Sequence, residues 1–232
     1  MASFSRSRLS NYQYVVVGEV GVGKTSLVRQ FTESKFVLNV PNTVGVDFGT
    51  RVINFKDYRG QFVDAKLQIW DLSGRERFRQ VTRCYYNDAD AAFIVFDLTR
   101  RSTFEKLTER IHEVADLLEP DAHICVVGNK SDNNETRSVT PEEIEALLEP
   151  FRIVYYEVSA ASHTDVESMF RRVTEEVHAG ARHHIPGARS NLAHSTFAGS
   201  QMPLTGSPPL KSARQRLTSC FGGLNCFGFR GS

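Results

Sequence analysis

The sequence predicts an α/β domain of three layers over residues 12–180, a mostly parallel sheet with helices on both faces. Two observations predict it. Short apolar runs alternate with stretches of helical periodicity along that whole span, the pattern of strands linked through helices. The composition then breaks near residue 180. All 27 acidic residues of the 232-residue chain lie within 1–180, where they outnumber the 22 Lys and Arg by five. Residues 181–232 carry six Lys and Arg, no acid, seven of the 16 Gly and four of the eight Pro, the composition of a flexible, disordered basic tail. A flexible N-terminus, residues 1–11, precedes the domain.

Val15–Val17, Ala91–Phe96, Ile124–Val127 and Ile153–Tyr156 read as strands buried on both faces of a parallel sheet. Ala65, Leu67 and Ile69 alternate with Lys66 and Gln68, so that strand has one wetter face. It is expected to pair with Val46–Phe55 through the turn Asp57-Tyr58-Arg59-Gly60, an antiparallel hairpin within a six-stranded sheet. A first helix begins near Lys24. Ser102-Thr103-Phe104-Glu105 has the form of a capping box, followed by Leu107, Ile111, Val114 and Leu118 on one face. Thr140-Pro141-Glu142-Glu143 combines an N-cap hydroxyl, a proline at the first helical position and a glutamate able to reach back. The last helix follows Ser162 and carries Val166, Met169, Phe170, Val173 and Val177 as a core-facing stripe.

Apolar residues at 41% and charged residues at 24% exclude collagen-like, wholly disordered and disulfide-dense classes. The longest apolar run, Ala91–Phe96, is far shorter than the roughly 18 to 20 residues of a membrane span. The start, MASFSRSRLSNYQY, lacks the apolar core of a secretory signal, and Ala2 stands where N-myristoylation requires glycine. Cys84 and Cys125 sit at no metal-ligand spacing and read as buried free thiols.

Val15–Val17 runs directly into Gly18-Glu19-Val20-Gly21-Val22-Gly23-Lys24-Thr25, which fits G-x-x-x-x-G-K-[ST]. Phosphate oxygens are held best by a ring of backbone N–H groups, and side chains at the tight positions would block that approach. The helix beginning near Lys24 points its positive end at the same anion. Lys24 supplies a charge to the outer phosphates and the Thr25 hydroxyl can bind Mg²⁺. The expected phosphate contacts are Gly18, Val20, Gly21, Val22, Gly23, Lys24, Thr25 and Ser26.

Asn129-Lys130-Ser131-Asp132 follows the strand Ile124–Val127 after Gly128, where strand C-termini gather ligands. The Asp132 carboxylate can accept hydrogen bonds from guanine N1–H and the 2-amino group. Adenine would leave it unpaired, and sites of that design discriminate by about 10⁴-fold or more. An ATP-using phosphate-loop kinase or motor is therefore poorly supported. Asp71-Leu72-Ser73-Gly74 ends the strand carrying Leu67 and Ile69. It offers a carboxylate to hold a Mg²⁺-bound water and a glycine N–H for the terminal phosphate, while Thr43 gives the second protein oxygen to Mg²⁺.

These motifs, with Thr43-Val44-Gly45-Val46-Asp47-Phe48, Lys66-Leu67-Gln68-Ile69-Trp70-Asp71, Glu76-Arg77-Phe78, Tyr85-Tyr86 and Phe96-Asp97-Leu98-Thr99, make the chain resemble a Ras-superfamily small GTPase of the Rab branch over roughly residues 12–180. The resemblance implies a three-layer P-loop G domain that binds GTP or GDP with Mg²⁺ and acts as a switch in vesicle traffic. Phe36 would lie against the guanine, and Ser159, Ala160 and Ala161 would offer backbone N–H groups to its O6. Residues near 36–48 and 71–86 would be the nucleotide-sensitive switches. Phe48, Trp70 and Tyr85 match the family's effector-contacting aromatic triad; ordinary packing is the alternative for those three. Effectors, an exchange factor and a GTPase-activating protein are the implied partners of a monomer in the cytoplasm or on the cytosolic face of endomembranes. Nucleic acid is not expected.

The catalytic set so implied is Lys24, Thr43, Gly74 and Arg75, and here the chain departs from the family. Arg75 occupies the position of the Gln that orients the attacking water. A guanidinium has donors and no acceptor, so it cannot take a hydrogen bond from that water. Losing that alignment is expected to slow hydrolysis on the order of 10²-fold, about 3 kcal/mol of barrier. Val20 replaces a small residue beside the terminal phosphate, and 28 positions separate Thr43 from Asp71, a longer hairpin than usual. Two readings follow, a slow switch helped by an activating protein that supplies its own Gln and Arg, or a GTP-occupied binding module. No C-terminal prenylation box is present, since Phe229 stands fourth from the end. Cys220 and Cys226, among Phe221, Leu224, Phe227 and Phe229 and near Lys211, Arg214 and Arg216, fit reversible S-acylation and peripheral membrane attachment, with free thiols as the alternative.

Overall fold

The computed structural model describes residues 9–75 and 78–180; residues 1–8, Glu76 and Arg77, and the tail with Cys220 and Cys226 lie outside the described residues. In chain order the elements are β1 (Leu9–Gly18), α1 (Lys24–Glu33), β2 (Val46–Lys56), β3 (Phe62–Leu72), a short α2 (Arg79–Thr82), β4 (Ala91–Asp97), α3 (Arg101–Glu105), α4 (Leu107–Leu117), β5 (His123–Asn129), α5 (Pro141–Leu148), β6 (Val154–Val158) and α6 (His163–His178). The six strands form one sheet in the order β2-β3-β1-β4-β5-β6. All neighbours run parallel except β2 and β3, which pair antiparallel from Val46 opposite Leu72 to Lys56 opposite Phe62. Leu9, Ser10 and Asn11 pair with Asp64, Ala65 and Lys66, so β1 begins inside the stretch expected to precede the domain.

The pleat divides the core in two. From β1 and β4, Tyr14, Val16, Ala91, Phe93 and Val95 pack with Leu27, Val28 and Phe31 of α1 and with Val166, Met169, Phe170 and Val173 of α6. The alternate residues Val15, Val17, Ala92, Ile94 and Phe96 pack with Leu107, Ile111 and Val114 of α4 and with Ile144 and Leu148 of α5. Phe31 stacks on Phe170 with centroids 4.3 Å apart, and Phe93 lies 4.7 Å from the same ring. The β2–β3 connection is the expected turn. Asp57 Oδ1 accepts from the N–H groups of Arg59 and Gln61, and Gly60 adopts φ 75°.

Three further expectations need correction. β6 is not buried on both faces; it is an edge strand whose Val154, Tyr155 and Tyr156 are half-buried and whose Glu157 is exposed. Ser102 does not cap a helix, because the helix starts at Arg101 and breaks at Lys106 into α3 and α4. The neighbouring hydroxyl, on Thr103, is turned inward. Thr103 Oγ1 accepts from Asp97 N–H at 3.0 Å and donates to Arg100 O at 2.7 Å, fastening α3 to the end of β4. Cys125 is buried, whereas Cys84 is only partly so. The other caps stand as expected. Thr140 and Glu143 form a reciprocal capping box on α5, and Ser162 accepts from Asp165 N–H at the start of α6.

Candidate nucleotide-binding site

A cleft of roughly 480 Å³ opens along the C-terminal ends of the parallel strands. At one end lies the loop between β1 and α1. Gly21 and Gly23 adopt φ of 78° and 95°, a left-handed path that side chains oppose. A Cβ on Gly23 would run into Asn129 Nδ2. Lys24 is buried and donates from Nζ to Gly18 O at 2.9 Å and Glu19 O at 2.8 Å, closing the loop on itself. Burial pulls its ammonium down to about 8, against the nearby Asp71 charge.

Three oxygens converge beside Lys24. The Thr25 and Thr43 hydroxyls are 2.8 Å apart, Thr43 donates to Asp71 Oδ2 at 3.2 Å, and Thr25 donates to the same oxygen. Asp71 Oδ1 is buried with no hydrogen-bond partner. Burial raises the Asp71 carboxyl above the ordinary range, opposed by the Thr25 bond and the Lys24 charge. Two hydroxyls and one carboxylate, whose buried Oδ1 has no hydrogen-bond partner, fit a small hard cation that keeps some of its own water, which is Mg²⁺ chemistry. Among the described residues no cluster of three His, Cys, Asp or Glu offers a competing metal site.

At the other end, Asn129 joins two loops. Its Nδ2 donates to Val22 O at 2.8 Å and its Oδ1 accepts from Ala160 N–H at 3.0 Å. Ser159 Oγ donates to Asp132 Oδ1 at 2.6 Å and accepts from Ala161 N–H, which fixes the carboxylate against the segment 159–161. Lys130, at φ 69°, donates to Asp97 Oδ2 at 2.5 Å. Phe36, 42% exposed, lies at the mouth of the cleft.

Val20, Gly21, Gly23, Lys24, Thr25, Ser26, Phe36, Thr43, Gly74, Arg75, Asn129, Lys130, Asp132, Ala160 and Ala161 all line this one cleft. Gly18, Val22, Ser159 and Asp71 stand behind the lining and position it through the contacts above. Phe48, Trp70 and Tyr85 form a contiguous aromatic patch, with centroids 4.6 Å and 4.7 Å apart in succession, and the Trp70 indole N–H is buried with no hydrogen-bond partner. Sequence reasoning missed Ser73. Its N–H donates to Gly45 O at 3.0 Å and its hydroxyl to Thr43 O at 2.8 Å, tying the two expected switch segments together. It also missed Arg100 and Arg110, whose side chains reach the phosphate loop. Only the basic character of the helix that follows β4 could have hinted at them.

Such a glycine-rich loop between a strand and a helix, opening on a cleft at the strand ends of this sheet order, defines the P-loop nucleotide-binding class. Residues 13–179 match the Ras family, and the chain belongs to it. It is 37% identical over 166 residues to the Ras-related protein Rab-2B of Dictyostelium discoideum, covering 72% of this chain and 80% of that protein. It is 34% identical over 192 residues to the Ras-related protein Rab11C of Lotus japonicus, covering 83% and 84%. With the Ras-related protein RABA2d of Arabidopsis thaliana it shares 35% over 189 residues, covering 81% and 85%. The chain is a Rab-like small GTPase.

Proposed function

We propose that this chain binds GTP and GDP with Mg²⁺ and acts as a switch in vesicle traffic whose intrinsic hydrolysis is slow. One observation carries the nucleotide reading. The Asn129 side chain holds the phosphate loop and the segment 159–161 together, which sets Asp132 and Lys24 along a single cleft. Asp132 then meets the guanine edge, while Lys24 and the loop N–H groups meet the phosphates. Thr25, Thr43 and Asp71 would hold Mg²⁺, which supplies charge neutralisation at the phosphate oxygens when bound.

Arg75 lines the cleft beside Val20 and Gly74. Its guanidinium can stabilise charge on a terminal phosphate but accepts no proton from water. Val20 occupies space at the same end. Together they favour retention of GTP over turnover, and an activating protein that brings its own water-orienting group would restore hydrolysis. Phe48, Trp70 and Tyr85 are the proposed effector contact. The basic tail, with Cys220 and Cys226, is the proposed membrane attachment; among the described residues no helix is long and apolar enough to cross a bilayer.

Two experiments test this. Asp132→Asn replaces an acceptor by an amide donor, and its preference is expected to move from guanosine to xanthosine diphosphate in calorimetric titration. Unchanged guanosine preference would refute the assignment of Asp132. In single-turnover assays the wild-type chain is expected to hydrolyse GTP slowly, and Arg75→Gln on the order of 10²-fold faster. Equal rates would remove Arg75 as the cause, and near-zero turnover even with candidate activators would favour the GTP-occupied module.

A further inference from the structure

Arg100 and Arg110 reach the phosphate loop and are not among the residues that line the nucleotide cleft. Arg100, between β4 and α3, is fixed by its own N–H to Asp97 O at 3.0 Å and by the Thr103 hydroxyl on its carbonyl. Its guanidinium donates to Val20 O at 2.7 Å. Arg110, on α4, is 12% exposed and donates to Glu19 Oε1 at 3.0 Å and to Glu113 Oε2 at 2.7 Å. Lys106 adds a contact to Glu19 Oε2 at 3.3 Å. Burial alone would lift the Glu19 carboxyl, but the bonds from Arg110 and Lys106 outweigh it and hold it below the usual range. The Glu19–Val20 peptide thus has its own carbonyl on Lys24 Nζ at 2.8 Å, with Arg110 holding the Glu19 carboxylate on one side and Arg100 the Val20 carbonyl on the other.

That same peptide is where Gly74 rests. A Cβ on Gly74 would lie 2.6 Å from Glu19 C and Val20 N, so backbone lies against backbone with no side chain between. Gly74 sits on the segment expected to sense the terminal phosphate, and Val20 and Gly74 line the cleft together. We propose that Arg100 and Arg110 are positioning residues that hold the Glu19–Val20 peptide as the seat for Gly74, and so determine how strongly the site prefers a nucleoside triphosphate to a diphosphate. The inference rests on the nucleotide reading above and adds to it a control by α3 and α4 over the terminal-phosphate end alone. GDP presents nothing to Gly74, so its binding is expected to depend less on the seat than triphosphate binding does.

The test uses the full chain with Mg²⁺ and compares dissociation constants for GDP and a non-hydrolysable GTP analogue in wild type, Arg100→Met, Arg110→Met and Arg110→Lys. Each Met variant is expected to lower the analogue-over-GDP preference by at least about fivefold, the lower end of coupling between sites. Arg110→Lys keeps a cation for Glu19 and is expected to recover most of it. Should Arg110→Met fold poorly, Glu19→Gln breaks the same pair without stranding a carboxylate, with the same change expected. Equal weakening of both nucleotides, or no change in their ratio, overturns the proposal while leaving the nucleotide reading intact. A wild-type chain that binds neither guanosine nucleotide overturns both.

Discussion

Gly74 and Gly23 are required for different reasons. Gly23 has a backbone path that a side chain opposes, whereas Gly74 is needed for clearance against the phosphate loop. Gly74→Ala forces three backbone atoms of that loop, at 2.6 to 2.7 Å from the new methyl, to give way. The expected outcome is GDP affinity close to wild type and GTP-analogue affinity reduced on the order of tenfold, read by equilibrium titration. Lys24, Thr25, Asn129 and Asp132, all of which line one cleft, were legible as short motifs in the sequence. Ser73, Arg100 and Arg110 were not, since their partners lie 30, 80 and 91 positions away and meet only through the topology.

At the scale of elements, caps were legible where a side chain serves its own helix and misread where it serves a neighbour. Thr140 and Glu143 cap α5 as expected, yet Ser102 caps no helix, the helix expected to follow it breaks at Lys106, and the neighbouring Thr103 is turned toward β4. Glu143 also links elements. Arg101 donates to both its carboxylate oxygens, at 2.6 and 3.2 Å, joining the start of α3 to the start of α5. The Arg101 bonds and the Thr140 N–H hold the Glu143 carboxyl down to about 2. A carboxyl lowered on folding stabilises fully above its unfolded value and loses that contribution as pH falls through the folded one. The α3–α5 link is therefore expected to persist at pH values where ordinary carboxylates are protonated, and to be lost as pH falls through about 2. Carboxyl-carbon NMR titration checks this. Arg101→Met is expected to return the midpoint toward the ordinary glutamate range, and an unmoved midpoint would show that Arg101 is not its cause.

At the scale of the whole molecule, strand count, hairpin and helix faces were readable because burial imposes periods that survive without tertiary knowledge. The edge position of β6 was not, since Ile153–Tyr156 is as apolar as a central strand and only the strand order exposes it. The sheet also sets where the two ends of α6 lie. Its first turn follows Ala160 and Ala161 at the cleft, while its last residue, His178, meets the Tyr12 hydroxyl at 2.6 Å and packs edge-on against Phe55. Between them, Glu167 pairs with Arg51 at 2.6 Å and Arg171 donates to Asn54 O at 2.7 Å. A helix of that length spans about 24 Å. Because α6 is fastened to β1 and β2 along that length, a force applied at Ala179 would act first on this seam and only afterwards on the segment 159–161 beside the cleft.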